Sequence, residues 1–274
     1  MRYSSAWKCG TQKNHELLHF ELESALSTFA VAETFEQQFV RTIHEFHLAR
    51  YGMKDAGTLF GRALDNALNK DLEVSALRDA KQKLDVATDV YRKTSTTLND
   101  FITKNTEKLK GNTVAEWARK ELKSYDDERL STLVKVTTEL VNSIREVEFT
   151  VFANEDWASS SLAVSEKDIF VIKHDGQWTV SPAYSATNAE GYICDAKSSY
   201  NVLAGAPLGA LIYRVRGTGN TNPMALIDGK GFSSGKGRLE FMINDSDRRN
   251  NGGQLNLKVI VFDSEKVKAL TEIK

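Results

Sequence analysis

The sequence predicts an α+β protein in two parts, an antiparallel helical bundle followed by a unit of short β-strands. Three observations predict it. From Asn14 to about Phe152 there is no proline, whereas Pro182, Pro207, Pro223 and twelve of the seventeen glycines lie beyond Trp157. In the first half Leu77, Leu84, Tyr91 and Leu98 fall seven residues apart, with Ala80, Ala87, Thr94 and Phe101 three behind each; that heptad is a coiled-coil or bundle seam. In the second half short runs rich in β-branched and aromatic residues alternate with turn residues. The expected division is 1–153 for the helical part, 154–263 for the β part and 264–274 for a charged C-terminal tail.

Taken in order, Leu18, Leu22, Ala25, Phe29, Ala32, Phe39, Ile43 and Phe46 mark one face of a long helix, because residues three, four or seven apart share a face. Gly52, Gly57 and Gly61 interrupt that pattern, and Ala56 to Leu68 reads as a shorter amphipathic segment. The heptad helix ends at Lys110-Gly111-Asn112, and Thr113-x-x-Glu116 has the form of a capping box for the next helix. That last helix is expected to run through Trp117, Tyr125, Leu133, Val136, Leu140, Ile144 and Val147. Strands are expected at 169–172, 178–180, 210–215, 225–227, 239–243 and 255–262, a pattern suited to a sandwich or a barrel.

Composition sets the class. Hydrophobic content of 41% and charged content of 27% belong to a soluble globular protein. A net charge of -1 gives no electrostatic reason to expect nucleic acid. No run of about 18 apolar residues exists to span a bilayer, and Met1–Gly10 lacks the apolar core of a secretory leader. A cytoplasmic location, or export by a non-classical route, is expected. Cys9 and Cys194 lie far apart and read as free thiols.

The stretch with the most chemistry is Ile243–Gly253, a loop between two apolar alternating runs. Asn244 to Asn251 holds two aspartates, three asparagines and a serine. Hard cations such as calcium take about six to eight oxygen ligands from such groups. Asp, Asn and Gly are also what an ordinary hairpin loop uses to reach positive φ, so composition leaves both open.

Other motifs are weaker. His15-Glu16-Leu17-Leu18-His19 matches the zinc-protease pattern, but Glu33 and Glu36 lie roughly 20–30 Å along the same helix and cannot supply a third ligand. His44 and His47, spaced i, i+3, read as buried or interfacial polar positions. Between Glu73 and Lys123 eleven Lys and Arg face eight Asp and Glu, a slight excess that admits a membrane-associated or structural role for the helices with the β part as scaffold. No GxSxG, P-loop or strand-borne GxGxxG occurs, and no cysteine has a plausible histidine partner. No enzymatic activity is expected.

Three segments in order resemble the PA-IL-like lectins, a family of bacterial calcium-dependent galactose-binding proteins. They are Gly176-Gln177-Trp178-Thr179-Val180-Ser181-Pro182, then Ala204 to Ile212, then Gly237-Arg238-Leu239 through Asn244-Asp245 with Asn250-Asn251-Gly252-Gly253. The resemblance covers about 165–262. It implies a jelly-roll β-sandwich in which calcium bridges protein and sugar. Position by position it makes Asp245, Asn250 and Asn251 side-chain ligands, and gives backbone carbonyls from Ser181 and from one residue of Ser246–Arg249. Asp245 and Asn250 would also meet the sugar hydroxyls. The stretch Ile193–Tyr200 carries no His/Gln pair, so galactose specificity does not carry over. The expected protein is a lectin: calcium-dependent, carbohydrate-binding, and a homo-oligomer through its helices.

Overall fold

A computed structural model of the chain describes residues 33–69, 73–124, 126–193 and 199–273. These fall into two compact units. One takes the described residues up to Leu59 with those of 82–130, the other 60–81 with everything from Ser131 onward.

In the first unit the long helices are α1 (Phe35–Leu68) and α2 (Val74–Lys104), which continue past the unit boundary, followed by α3 (Thr113–Lys123) and the start of α4 (Asp127–Ser143). The heptad is the buried stripe: Leu77, Leu84, Tyr91 and Leu98 are all 5% exposed or less. Within this unit Phe35 and Phe39 stack on Phe101 with ring centroids 5.5 and 5.7 Å apart, and Phe46 tilts against Tyr91. Arg50 pairs with Glu121 and Arg92 with Asp127.

Four sequence expectations change here. Gly52, Gly57 and Gly61 do not interrupt α1, which runs unbroken through all three. A glycine costs a helix only about 1 kcal/mol against alanine, less than the burial of aromatics such as Phe46 returns. The cap of α3 is Asn112, whose Oδ1 accepts from Val114 N and Ala115 N at 3.0 Å, so Thr113 is the first helical residue. The expected last helix is two, broken between Lys123 and Asp127. Finally, Ile144 lies past the end of α4 and Val147 is in a strand, so the β part begins near Arg145 rather than at 154.

The second unit contains two four-stranded antiparallel sheets. One has the order β1 (Arg145–Phe152), β8 (Gly252–Phe262), β3 (Ile169–Thr179), β6 (Lys230–Phe232). The other has β2 (Ala158–Val164), β7 (Gly235–Ile243), β4 (Leu211–Gly219), β5 (Met224–Ala225). Val147, Phe149 and Val151 alternate with polar residues, a period of two that suits β1, and all eight of its residues pair with β8. The sheets share one core that includes Val151, Phe170, Trp178, Val215, Phe241 and Val259. Trp178 Nε1 donates to Gly209 O at 2.8 Å, which satisfies its polar edge inside that core. The tail is a helix, α5 (Ser264–Glu272), capped by Asp263.

Candidate functional site

Two strand ends position the candidate site. β7 ends at Ile243 in one sheet and β8 begins at Gly252 in the other. Residues 244–251 are therefore no hairpin loop; they carry the chain from sheet to sheet. The end of β3 lies beside them, with Trp178 opposite Gly253 and Thr179 opposite Gly252. Gly253 has φ +88, and a Cβ there would come within 2.4 Å of Gln177 O, so only glycine fits this approach.

Asn244 is fully buried and its amide is consumed. Oδ1 accepts from Leu203 N at 2.8 Å, and Nδ2 faces the carbonyls of Leu203, Ala206 and Pro207 at 3.2, 3.1 and 3.0 Å. It is a tether for residues 203–207 and has no oxygen to offer a metal.

Asp245 is the buried charge of the site, 3% exposed. Its Oδ1 accepts from Asp247 N at 3.0 Å. Burial pushes its carboxyl above the usual carboxylate range, partly offset by the bond from Asp247 N and by a hydrogen bond with the Asn251 side chain. Asn251, 8% exposed, also donates through Nδ2 to Ala153 O at 3.2 Å. Both neighbours of that amide are oxygens, which fixes the NH₂ towards them. Its Oδ1 is then a buried acceptor with no hydrogen-bond partner among the described residues. Buried polar atoms are nearly always satisfied, and an exception asks for a reason.

The other two expected ligands stand at the same end of the sheets. Asn250 is exposed at the close of a 3₁₀ turn, Arg248–Asn250. Ser181 is two residues beyond the last β3–β8 pair; its carbonyl accepts from Tyr184 N at 3.1 Å and its hydroxyl from Ala183 N at 3.2 Å. Asp245 and Asn251 thus meet directly, while Ser181 and Asn250 each lie two residues beyond the last β3–β8 pair, Thr179 with Gly252.

Sequence reasoning missed the parts that brace this loop. Arg248 Nη1 donates to Asp245 O at 3.4 Å, and its other nitrogen lies 3.5 Å from Asp156. Ser246 N donates to Tyr200 O at 2.8 Å. Asp247 is paired to Arg249 at 3.1 Å. As a donor set the loop offers one buried carboxylate, one open amide oxygen, and an exposed amide and a carbonyl at its margin. That chemistry suits a hard cation with coordination left over, though fewer oxygens are available than composition promised.

In the helical part His15 and His19 lie outside the described residues. His44 and His47 are buried, at 6% and 5% exposed, and His47 meets the Tyr51 ring edge-on at 4.6 Å. Among the described residues no group of three or more His, Cys, Asp or Glu is placed to hold a metal. No helix among them is long and apolar enough to cross a membrane.

No protein-family model matches the chain, and no curated protein matches it. Among solved structures the chain is similar to one described as the EclA N-terminal domain, a PllA-like lectin. That similarity has 15% identity and a TM-score of 0.32, and covers 42% of this chain and 94% of that one.

Proposed function

We propose that the chain is a non-enzymatic, calcium-dependent carbohydrate-binding protein. Its β part would be a jelly-roll sandwich carrying the site, and its helices a bundle that oligomerises. One observation carries the proposal: the buried Asp245 carboxylate beside the Asn251 amide, whose Oδ1 has no hydrogen-bond partner among the described residues. A buried charge and an orphaned buried acceptor in one loop both cost stability when nothing binds them. A cation relieves both.

In this proposal Asp245 and Asn251 hold the metal from inside, and Asn250 and the Ser181 carbonyl complete the protein's share. Bound calcium would leave open positions for two neighbouring sugar hydroxyls. Asp245 can accept a hydrogen bond from such a hydroxyl, and Asn250 can accept or donate. Several weak sites on one oligomer would act at high effective concentration.

The test is calorimetric titration and thermal unfolding with calcium, then a glycan array with and without a chelator. Calcium at about 100 times its Kd should stabilise the fold by about 2.7 kcal/mol, and sugar binding should vanish with chelator. No thermal shift at millimolar calcium, or sugar binding indifferent to chelator, overturns the proposal.

A further inference from the structure

The opposite end of the same strands has different chemistry. β7 starts at Gly235 where β4 ends at Gly219, and the end of β2 lies alongside, with Ala163 opposite Arg238 and Val164 opposite Gly237. Here a cleft of about 580 Å³ is lined by Arg145, Arg216, Lys236 and Arg238 together with Ser165, and none of its lining residues is acidic.

Arg216 and Arg238 are direct cross-strand partners, which puts their Cβ atoms about 5 Å apart, and like charges so placed are destabilising. Lys236 is two residues from Arg238 on the same strand and so shares its face. The buried carboxylates at this end are already committed. Asp168 takes Arg145 at 2.6 Å. Glu240 takes Arg214 at 2.7 Å and, more loosely, Arg216 at 3.4 Å. Arg214 in turn lies over the Trp157 ring. Among the described residues, Lys236 and Arg238 remain as surplus positive charge.

The other face of the two strands carries no side chains at this point. Gly217 pairs with Gly237 and Gly219 with Gly235, and a Cβ on Gly217 would lie 2.1 Å from Lys236 O. The strand ends therefore pack backbone to backbone and present their cations on one side only.

From this crowding of cations we infer a second binding site, for a phosphate or sulfate oxyanion. Guanidinium groups offer paired N–H donors that match such an oxyanion, and a lysine adds a point charge. The chain's net charge of -1 argues that the attraction is local to the cleft and not a general affinity for polyanions. The anion could be free, or the phosphodiester of a lipid headgroup; both offer the same oxygens.

The experiment measures binding of sodium phosphate and sodium sulfate to the whole protein by calorimetry, against sodium chloride at equal ionic strength. A parallel arm sediments the protein with phosphatidylcholine vesicles, with and without phosphatidylglycerol. The variants are Lys236→Gln and Arg238→Gln. Each should weaken anion binding about ten- to a hundredfold, the loss of one or two charge-assisted hydrogen bonds. Arg238→Gln should leave the unfolding midpoint unchanged or raised, because it removes a like-charge pair, which separates lost binding from lost folding. Sulfate also stabilises proteins by exclusion from their surface, and that part of any thermal shift should survive in the variants. Binding of free phosphate or sulfate that both variants weaken assigns a small-anion site. Sedimentation only with phosphatidylglycerol, lost in both variants, assigns the headgroup. Binding equal in wild type and variants, or none in either arm, overturns the inference.

Discussion

Asn244→Ala tests whether the loop is held in place by one buried amide. The wild-type side chain fills its position with four contacts, one acceptor to Leu203 N and two donor protons shared among three carbonyls. A satisfied hydrogen bond contributes about 1 kcal/mol net, and a buried group left without a partner costs roughly 1–3 kcal/mol. Three satisfied hydrogen bonds are lost and at least one of their partners is stranded, so the expected destabilisation is about 3 kcal/mol. In urea with a slope of about 2 kcal/mol per molar, that lowers the midpoint by about 1.5 M without changing the slope. Tryptophan fluorescence reports it, since Trp178 lies in the same core. Asn244→Asp should be at least as damaging, because it keeps the acceptor but sets a charge against three carbonyls. A midpoint shift under about 0.5 M for Asn244→Ala, or about 1 kcal/mol, would mean that water replaces the amide at no loss and that Asn244 is no tether.

Asp245→Asn should abolish stabilisation by calcium and yet leave the metal-free protein no less stable at neutral pH. Because burial raises the folded pKa of Asp245 above its ordinary 3.8, its contribution to stability is full below that value and is lost as pH rises through the folded pKa. The variant should lack that decline in chelator, which unfolding curves across acid pH would show. An unchanged pH profile refutes the assignment. Gly253→Ala should cost more than about 2 kcal/mol, from positive φ and the clash with Gln177 O; a neutral result in chemical unfolding would contradict the close approach of β3 and β8. Leu98→Ala, at a fully buried heptad position, should cost about 2–5 kcal/mol, read from loss of helical circular dichroism on heating. A shift under about 1 kcal/mol would show that the seam can collapse around the gap.

What could be read from sequence follows the range of the interactions concerned. The heptad from Leu77 to Leu98 was legible because burial along a helix repeats within a few residues. Arg145–Phe152 was misread because Ile144 and Val147 also satisfy a spacing of three; the partner that decides for a strand, β8, begins at Gly252. β2 was missed because Ala158–Val164 holds three serines, and Ser160 is buried through a bond to Leu239 O, 79 residues away. In the loop, composition gave six side chains with oxygen and no means of ranking them. Asn244 is removed by a partner 41 residues upstream, and Asp247 by its neighbour Arg249. What the resemblance added was a choice among them, and Asp245 and Asn251 are the two that the fold places in contact with each other.

The two ends of β7 carry unlike side chains. Its nine residues from Gly235 to Ile243 span about 26 Å at 3.3 Å per step, more than twice the Debye length at physiological salt. If Asp245 holds a cation as proposed, seven residues of chain, about 23 Å, would separate it from Arg238, far enough for each end to vary largely on its own. The strand's second half, Leu239 to Ile243, is wholly buried, so it can change little without loss of the core. Lys236 and Arg238 near its start are exposed and under no such demand. Beyond its last residue the chain leaves the sheet into a loop whose Asn251 Oδ1 has no hydrogen-bond partner among the described residues, and at Lys236–Arg238 it enters with positive charge left over. Both are local departures from the satisfaction and charge balance that stability alone would favour, and it is on these departures that the two proposed sites rest.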